Sequence, residues 1–573
     1  MSSARTAHLP KSPEYQRLPD HASLDERIAL SYRRARAIAK AYGTLTAHDV
    51  LYMTPKFWEF HTDNIHALDG GAFTLLTIQY NLAGGTLAAF AEKRRELRPI
   101  MDQIMRFDVS AQYLLTEVGH GLDAPNLETT ATLLANGEFD LHTPHERARK
   151  YMPPTGPFGS MPRVGVVFAR LMVNGENRGI RPFLVPLGDG KQMCKGVSAR
   201  LVPQRGGIKP VDHAVTEFNH VRLPASALLG SLAKPADLRA NFISCIWRVS
   251  VGSLALATMS IPLISVNAYV AARYSLRRMV AGPDGSPVPI MSYRTQQQPI
   301  MHALAQAAVM RAHAQAASEL YKDSSLDHRV RSGIAAAAKA SMTHHAWSSL
   351  ATLTERVGAH GVFEHNNILQ SELLIRGIRI AEGDVLALSI RLANELLLKR
   401  YELPRPKHPD CLLARHEMGL FLECRELLHR AGGNHRHESL SRLLLPRCVP
   451  LVQAIGHRMA YEAALDSNVS RPLVDLYEAG IVQFDSGWYV EHAGLTRRTQ
   501  FEMEDNALTA AMPHLNEYLV ETGAEPYAIS PILTQESWET FLAEVPIFTG
   551  EAEMSLIPSP APRTVAPTLQ AHL

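Results

Sequence analysis

The sequence predicts an α+β protein of several domains, and three observations carry that expectation. Long stretches low in β-branched residues fill about 25–108 and return over 235–400 and 410–545, as packed helices require. Between the first two lies 123–225, where short β-rich runs alternate with Gly, Pro, Asn and Asp, the pattern of a compact β domain. The 573 residues also exceed the size at which a single hydrophobic core stops growing.

Taken in order, residues 1–24 are mostly polar with a few prolines and read as a loosely ordered lead-in. RIALSYRRARAIAKAYG and then FTLLTIQYNLAGGTLAAFAEKRRELRPIMDQIM are the first helices. The strand candidates are VGVVFARLMV from Val164, RPFLVPL from Arg181 and AVTEFNHVRLP from Ala214. Strands half-exposed in this way need a cover, which flanking helices can supply. HALAQAAVMRAHAQAASELY and SGIAAAAKASMTHHAWSSLATLTERVG, rich in Ala and Leu, resume the helices. The terminal PSPAPRTVAPTL is Pro-rich and expected to be extended or disordered. The expected boundaries are 1–114 helical, 115–225 β, 226–400 helical and 401–573 a further helical domain with a tail.

A net charge of +2 gives no strong field for a nucleic acid or an anionic membrane, although local basic groups can still hold cofactor phosphates. The five cysteines, at 194, 245, 411, 424 and 448, form no CxxC pair, so neither a disulfide framework nor a zinc site is expected. His344-His345 and His435-Arg436-His437 lack the spacing of a metal site, and no metal is expected. The amino-terminal residues lack the apolar stretch of a secretory signal. The most apolar segments, near 250–270 and 385–398, read as interrupted by polar residues or too short to cross a bilayer.

Local sequences carry the chemistry. Leu115-Thr116-Glu117-Val118-Gly119-His120-Gly121, running on to Leu127-Glu128-Thr129-Thr130-Ala131-Thr132, resembles the flavin-binding segment of acyl-CoA oxidases. Further landmarks follow in family order: Tyr293-Arg294-Thr295-Gln296-Gln297, the glycines of RVGAHG at 358 and 361, and Ala381-Glu382-Gly383-Asp384. The last is LYEAGIVQFDSGWYVEHAGL from Leu476, which resembles the carboxy-terminal domain that oxidases have and the shorter acyl-CoA dehydrogenases lack. The resemblance implies an acyl-CoA dehydrogenase-like helical domain, a central β-barrel domain, a helical bundle and an oxidase-type carboxy-terminal helical domain.

It also implies FAD as cofactor, an acyl-CoA substrate, molecular oxygen as electron acceptor and a homodimer, with trans-2-enoyl-CoA and hydrogen peroxide as products. Cofactor contacts would fall on Thr116, Gly119, Gly121, Thr155, Gly156, Arg294, Gln296, Gly358 and Gly361, and substrate contacts on Asp212 and Gly383. Glycines 119 and 121 would let the backbone turn and approach a flat ligand, and the Arg294 guanidinium offers a planar fork to a diphosphate. Each has a plainer reading as well: a glycine turn at a domain boundary, a surface ion pair for Arg294, a glycine-ended helix at 358–361, a local turn cap for Asp212.

The sequence departs from the family at Tyr151-Met152-Pro153-Pro154-Thr155-Gly156, where oxidases carry tryptophans and paired glycines, and at Asp212-His213-Ala214, where they carry Asp-Asn-Gly. Glu382 is the expected catalytic base: a carboxylate beside the α-carbon takes its proton while a hydride acceptor stands beside the β-carbon. The alternatives are a dehydrogenase-like enzyme that delivers electrons to a protein acceptor or works on a specialised acyl or polyketide thioester, and a non-catalytic interaction protein. Ala571-His572-Leu573 resembles the small–basic–Leu peroxisomal address, so import into peroxisomes is expected, with the cytoplasm as the alternative.

Overall fold

The computed structural model describes residues 5–19, 21–434 and 437–554. The expected loose lead-in is folded between Arg5 and Pro19: two short 3-10 turns, Leu9–Lys11 and Pro13–Tyr15, each open on a proline and bury Leu9 and Tyr15. Thr6 anchors the segment by donating to Asp63 (2.7 Å) and pairing with the Tyr527 hydroxyl (2.8 Å). A few apolar and aromatic side chains among polar ones suffice to dock it.

The first helical layer comprises α1 (Leu24–Ala41), α2 (Ala47–Tyr52), α3 (Pro55–His61), α4 (Gly70–Thr77), α5 (Gly85–Ala91) and α6 (Arg98–Met105). Helix α1 starts where its sequence says it should. The Glu26 amide donates to the Ser23 hydroxyl and the Ser23 amide returns a bond to the Glu26 carboxylate, a capping box that satisfies two amides at once. The long run from Phe73 is helical but not uniform, because Ile78–Gly84 is π-helical between α4 and α5.

Nine strands follow: β1 (Ser110–Leu114), β2 (Thr130–Leu133), β3 (Phe139–His142), β4 (Lys150–Pro154), β5 (Arg163–Val173), β6 (Glu176–Gly188), β7 (Val197–Leu201), β8 (His213–Phe218) and β9 (Val221–Leu223). All three expected runs are strands, the third split at Asn219-His220. The domain is a curled pair of sheets: six strands along β1-β5-β2-β3-β9 with β6 paired to β5, and three strands in the order β4-β8-β7. β1 runs parallel to β5 with Ser110 opposite Arg163, and β5 and β6 form the long antiparallel ladder. The sheets are stitched where the Tyr151 amide donates to the Thr116 carbonyl (2.9 Å).

The chain then returns to helices: α7 (Leu238–Cys245), α8 (Trp247–Thr258), α9 (Ser260–Arg277), an exposed hairpin of β10 (Met279–Ala281) and β11 (Pro287–Pro289), and α10 (Arg294–Lys322), α11 (His328–Arg356), α12 (Ile368–Ile380) and α13 (Val385–Leu397). Contrary to the sequence reading, Trp247–Arg277 is long and apolar enough to cross a membrane by length and hydropathy, yet 89% of its most apolar window is buried inside the fold. Asn267 within it donates to Ser371.

The last domain holds α14 (Leu412–Arg430), α15 (Glu438–Leu443), α16 (Cys448–Asp466), α17 (Arg471–Phe484), α18 (Ser486–Ala493), α19 (Arg497–Ala511), α20 (Leu515–Glu521) and α21 (Gln535–Glu544). Helix α16 approaches α11 closely at Gly456, where a Cβ would lie 2.5 Å from the Ala337 carbonyl. One buried cluster runs without a break from Leu9 through α8–α11 to Ile532, so this domain is welded to the bundle. Trp488 and Tyr489 pack in a small core of their own with Val482.

Candidate active site

Two helices meet at the segment that carries the expected base. α11 runs 17 residues from Lys339 to Arg356, about 26 Å at the helical rise. The chain then turns through 358–366, and α12 packs back along α11. This return delivers Ala381-Glu382-Gly383-Asp384 beside Lys339. Ala381 ends α12 and the Asp384 carboxylate accepts from the Ala387 amide (3.0 Å) to cap α13. Asp384 is therefore the N-cap of α13. Glu382 (φ 53°) and Gly383 (φ 95°) form a left-handed pair between the helices. Glycine takes that conformation freely, whereas a glutamate does so at a cost of about 1–3 kcal/mol that its surroundings must offset.

Those surroundings are specific. Asn81 of the π-helical turn donates to Glu382 Oε2 (2.9 Å), and the Ser253 hydroxyl donates to the Glu382 carbonyl (2.5 Å). Arg248, fully buried, donates to the Asn81 carbonyl (2.8 Å) and to Asn81 Oδ1 (2.7 Å), fixing the amide's orientation toward the carboxylate. Lys339, also fully buried, donates to the carbonyls of Ala381 and Gly383, the latter at 2.6 Å. Two helical glycines make the room. A Cβ at Gly252 would lie 1.1 Å from Glu382 Oε2, and one at Gly85 would lie 2.2 Å from Arg248 Nε. Burial drives the Glu382 carboxyl well above the ordinary carboxylate range, with Lys339, Arg248 and the Asn81 bond pulling the other way. The buried Tyr113 hydroxyl, which has no partner among the described residues, belongs to the same electrostatic neighbourhood. An enclosed carboxyl poised in this way suits a general base. The Glu382 amide makes no hydrogen bond among the described residues, leaving a donor on the same turn.

The other expected positions separate into three groups. The first is the 115–121 segment, which follows β1 and its Tyr113. Thr116 is half-buried, its carbonyl bonded to Tyr151 and its hydroxyl without a partner among the described residues. The segment is locked by Glu117, whose carboxylate accepts from the Glu128 and Thr129 amides (2.7 and 2.9 Å) and pairs with Lys150 (2.9 Å), both side chains fully buried. Burial lowers Lys150 to about 8 despite that partner. Neither Gly119 nor Gly121 adopts a left-handed backbone. Gly119 packs against Arg147, whose Cβ would be 3.0 Å from an added Cβ, and Gly121 faces open space.

Thr155, Gly156 and Asp212 form the second group and face inward. The Thr155 hydroxyl bonds Thr216 (2.7 Å). Asp212 is fully buried, accepting from the Tyr32 hydroxyl (2.7 Å) and Arg163 (3.3 Å), and Gly156 backs onto its side chain. Its carboxylate thus ties α1 to the β domain. The third group lies at the far end of α11. Gln296 donates to Ser275 (2.7 Å) and to the Arg356 carbonyl (2.8 Å), joining α9, α10 and α11. Arg294 is exposed and bonds Asp505 (2.7 Å) and Thr509. Gly358 is left-handed (φ 61°) and open on its Cβ side, whereas Gly361 is pressed 2.0 Å from the Thr354 carbonyl by the same measure.

Asn81, Gly85, Arg248, Gly252 and Lys339 were not singled out from the sequence. The available signals were the glycines inside apolar helices and a lone lysine in the alanine run of α11. A cavity of about 820 Å³ lies elsewhere, between the lead-in, α1, the 363–367 turn and α21. His435, Arg436 and the Ala571-His572-Leu573 terminus fall outside the described residues.

The model for the acyl-CoA oxidase C-alpha1 domain matches residues 252–397, the span that holds Gly252, Lys339 and Glu382. The peroxisomal acyl-coenzyme A oxidase 2 of Arabidopsis thaliana is 27% identical over 352 residues, covering 57% of this chain and 50% of that protein. An acyl-coenzyme A oxidase of Caenorhabditis elegans is 26% identical over 421 residues, covering 69% of this chain and 60% of that one. The chain thus spans about half the length of these curated relatives. Among solved structures, acyl-CoA oxidase 1 of Yarrowia lipolytica superposes with a TM-score of 0.80 at 17% identity, over 94% of this chain and 88% of that one. Acyl-CoA oxidase-1 of Caenorhabditis elegans, solved with FAD and ATP, gives 0.70 at 19% identity over 94% and 86%. The chain is similar in sequence to acyl-CoA oxidases and has the multidomain α+β fold of the solved acyl-CoA oxidases.

Proposed function

We propose that this protein is an FAD-dependent acyl-CoA oxidase that converts a saturated acyl-CoA thioester to the trans-2-enoyl-CoA and passes the electrons to molecular oxygen, giving hydrogen peroxide. The observation that carries this reading is the Glu382 turn: an enclosed carboxylate held by Asn81, with an unengaged backbone amide on the same residue. When bound, FAD supplies the acceptor for the substrate's β-hydride and the route of its electrons to oxygen.

The chain's own residues do the rest. Glu382 takes the proton from the α-carbon at a carboxylate oxygen, in line with the 10²–10⁴-fold, roughly, that a positioned acid–base group contributes. The Glu382 amide is placed to donate to the thioester oxygen as enolate charge develops, the usual need of such a step. Enclosure by Tyr113, Gly252 and Arg248 keeps water from the carboxylate. Gly383, left-handed beside the base, keeps the turn free of a Cβ that would press on Leu388 at 3.0 Å.

The residues present fit the cofactor in two places. The Thr116 hydroxyl is available on the segment that follows β1, and the far end of α11 offers Arg294 with the open, left-handed Gly358. Lys339, bonded to the Glu382 turn, and Arg356 lie about 26 Å apart along α11, which supports a homodimer in which Arg294, Gln296, Gly358 and Gly361 serve the adenosine diphosphate end of a neighbour's FAD. Thr155, Gly156 and Asp212 then act by shaping the β-domain wall. The helical limit of 1–114 needs correction, because β1 (Ser110–Leu114) pairs with β5 in the β domain; limits of 110–225, 226–400 and 401–573 for the later domains suit this division of labour. Several similar proteins are named peroxisomal, and we propose the same compartment for this chain.

The test is reoxidation. Protein loaded with FAD, reduced anaerobically by an acyl-CoA chosen from a panel of lengths and branchings, is mixed with oxygenated buffer. Rapid return of the oxidised spectrum with stoichiometric peroxide is expected. Slow return, together with rapid reduction of an electron-transfer flavoprotein, would reassign the enzyme to the dehydrogenases.

A further inference from the structure

The base is carried on a turn that its own sequence does not hold. Glu382 and Gly383 are consecutive left-handed residues between two helices, with carbonyls on either side that no helix satisfies. Lys339, from the middle of α11, meets both: its ammonium donates to the Ala381 carbonyl and to the Gly383 carbonyl. Its neighbours in the helix are alanines and small residues, all buried. A lysine that lies wholly inside a protein normally has a carboxylate in contact. Here the direct contacts are two carbonyls, and the negative charge that acts most strongly on the ammonium is Glu382 itself, followed by Asp384.

We propose that Lys339 is the positioning residue for the Glu382 base, clamping the turn through the carbonyls of Ala381 and Gly383 while its positive charge favours the ionised form of the enclosed carboxylate. This rests on the reading of Glu382 as the base of an acyl-CoA dehydrogenation. The charge matters as much as the clamp. Burial alone favours the neutral carboxyl, and the cations acting against it are Lys339 and Arg248. Of these, Arg248 spends its donors on Asn81 and on the Val50 carbonyl, whereas Lys339 touches the turn on both sides of the base. The remaining groups facing the carboxylate are the Asn81 amide and the Tyr113 hydroxyl. A lysine that merely ended α12 would serve as well in neutral form. A positioning cation would not.

The experiment reads the ionisation of Glu382 without calling on turnover. In infrared difference spectra recorded across pH on the full FAD-loaded protein, the protonated Glu382 carboxyl is identified as the band absent from Glu382→Gln. In Lys339→Met the midpoint of that band should move to higher pH by at least about one unit. Lys339→Gln, which can still donate to one carbonyl but carries no charge, should move it in the same direction and serves where the methionine variant does not fold. In anaerobic stopped-flow with acyl-CoA, both variants should reduce flavin at least tenfold more slowly at neutral pH and recover toward the wild-type rate in alkaline buffer. An unmoved midpoint in a folded variant overturns the proposal, as does a slowed reduction that alkaline buffer does not relieve. A moved midpoint in a protein whose wild type is not reduced by any acyl-CoA would retain the Lys339–Glu382 coupling and refute the dehydrogenation reading.

Discussion

At the scale of single residues, space around the base is set by glycines. Gly252 lies in the middle of α8, where a glycine costs about 1 kcal/mol relative to alanine, yet Glu382 Oε2 occupies the volume an alanine methyl would take. Gly252→Ala should therefore leave helix propensity improved and the site broken. We expect flavin reduction by acyl-CoA to fall by about 100-fold or more, with global stability changed by no more than the ~1–3 kcal/mol of an overpacked core. Stopped-flow reduction beside urea unfolding checks this; a near-normal rate would mean that the carboxylate does not work from the position described. The same scale shows why part of the site was legible. Glu382 sits in a contiguous tetrapeptide that can be read from sequence, whereas Asn81, Arg248, Gly252 and Lys339 come from separate segments and converge only after folding. The lone lysine in SGIAAAAKASM was visible but carried no partner in sequence.

At the scale of elements, helices and strands were legible because their periodicities are local, and deviations arose where tertiary contacts decide. The Phe73–Met105 run reads as helix throughout, but Ile78–Gly84 is π-helical, and such turns often mark functional positions. The widened turn brings Asn81 to Glu382. The lead-in looked too polar to order, yet Leu9 and Tyr15 find the main core. Asp212 was read as a substrate or turn residue, and its carboxylate instead meets Tyr32 and Arg163 where α1 crosses the β domain. That contact belongs to docking of elements, so Tyr32→Phe should destabilise the protein by about 1–3 kcal/mol, the cost of leaving a buried acceptor short of a donor. The KM for acyl-CoA should stay unchanged. Denaturant unfolding with steady-state kinetics checks both, and a raised KM at unaltered stability would return Asp212 to the substrate pocket.

At the scale of the whole molecule, the two ends of α11 pose the question of assembly. The base lies at one end of the α11–α12 pair and the open Gly358 with Arg294 at the other, a separation the sequence could not reveal because both motifs are simply in family order. Completion of the flavin site by a second copy predicts a dimer in sedimentation equilibrium. It also predicts that Arg294→Glu loses bound FAD while unfolding within about 1 kcal/mol of wild type, since an exposed pair such as Arg294–Asp505 contributes little to stability. A monomer that keeps stoichiometric FAD and full turnover would contradict this arrangement.

The central claim is that an enclosed Glu382 acts as the base for α-proton abstraction, and anaerobic stopped-flow reduction of Glu382→Gln by saturating acyl-CoA tests it most directly. Because burial raises its pKa, the wild-type reduction rate should still be climbing with pH at neutrality, above the range in which an ordinary glutamate has finished titrating. Glu382→Gln keeps the shape of the side chain and leaves the Thr116, Arg294 and Gly358 regions untouched, so FAD content measured on the same sample should match wild type. The account predicts flavin reduction slowed by at least roughly 100-fold and the loss of its pH dependence. A fully loaded Glu382→Gln protein that reduces its flavin at a near-wild-type rate would contradict it.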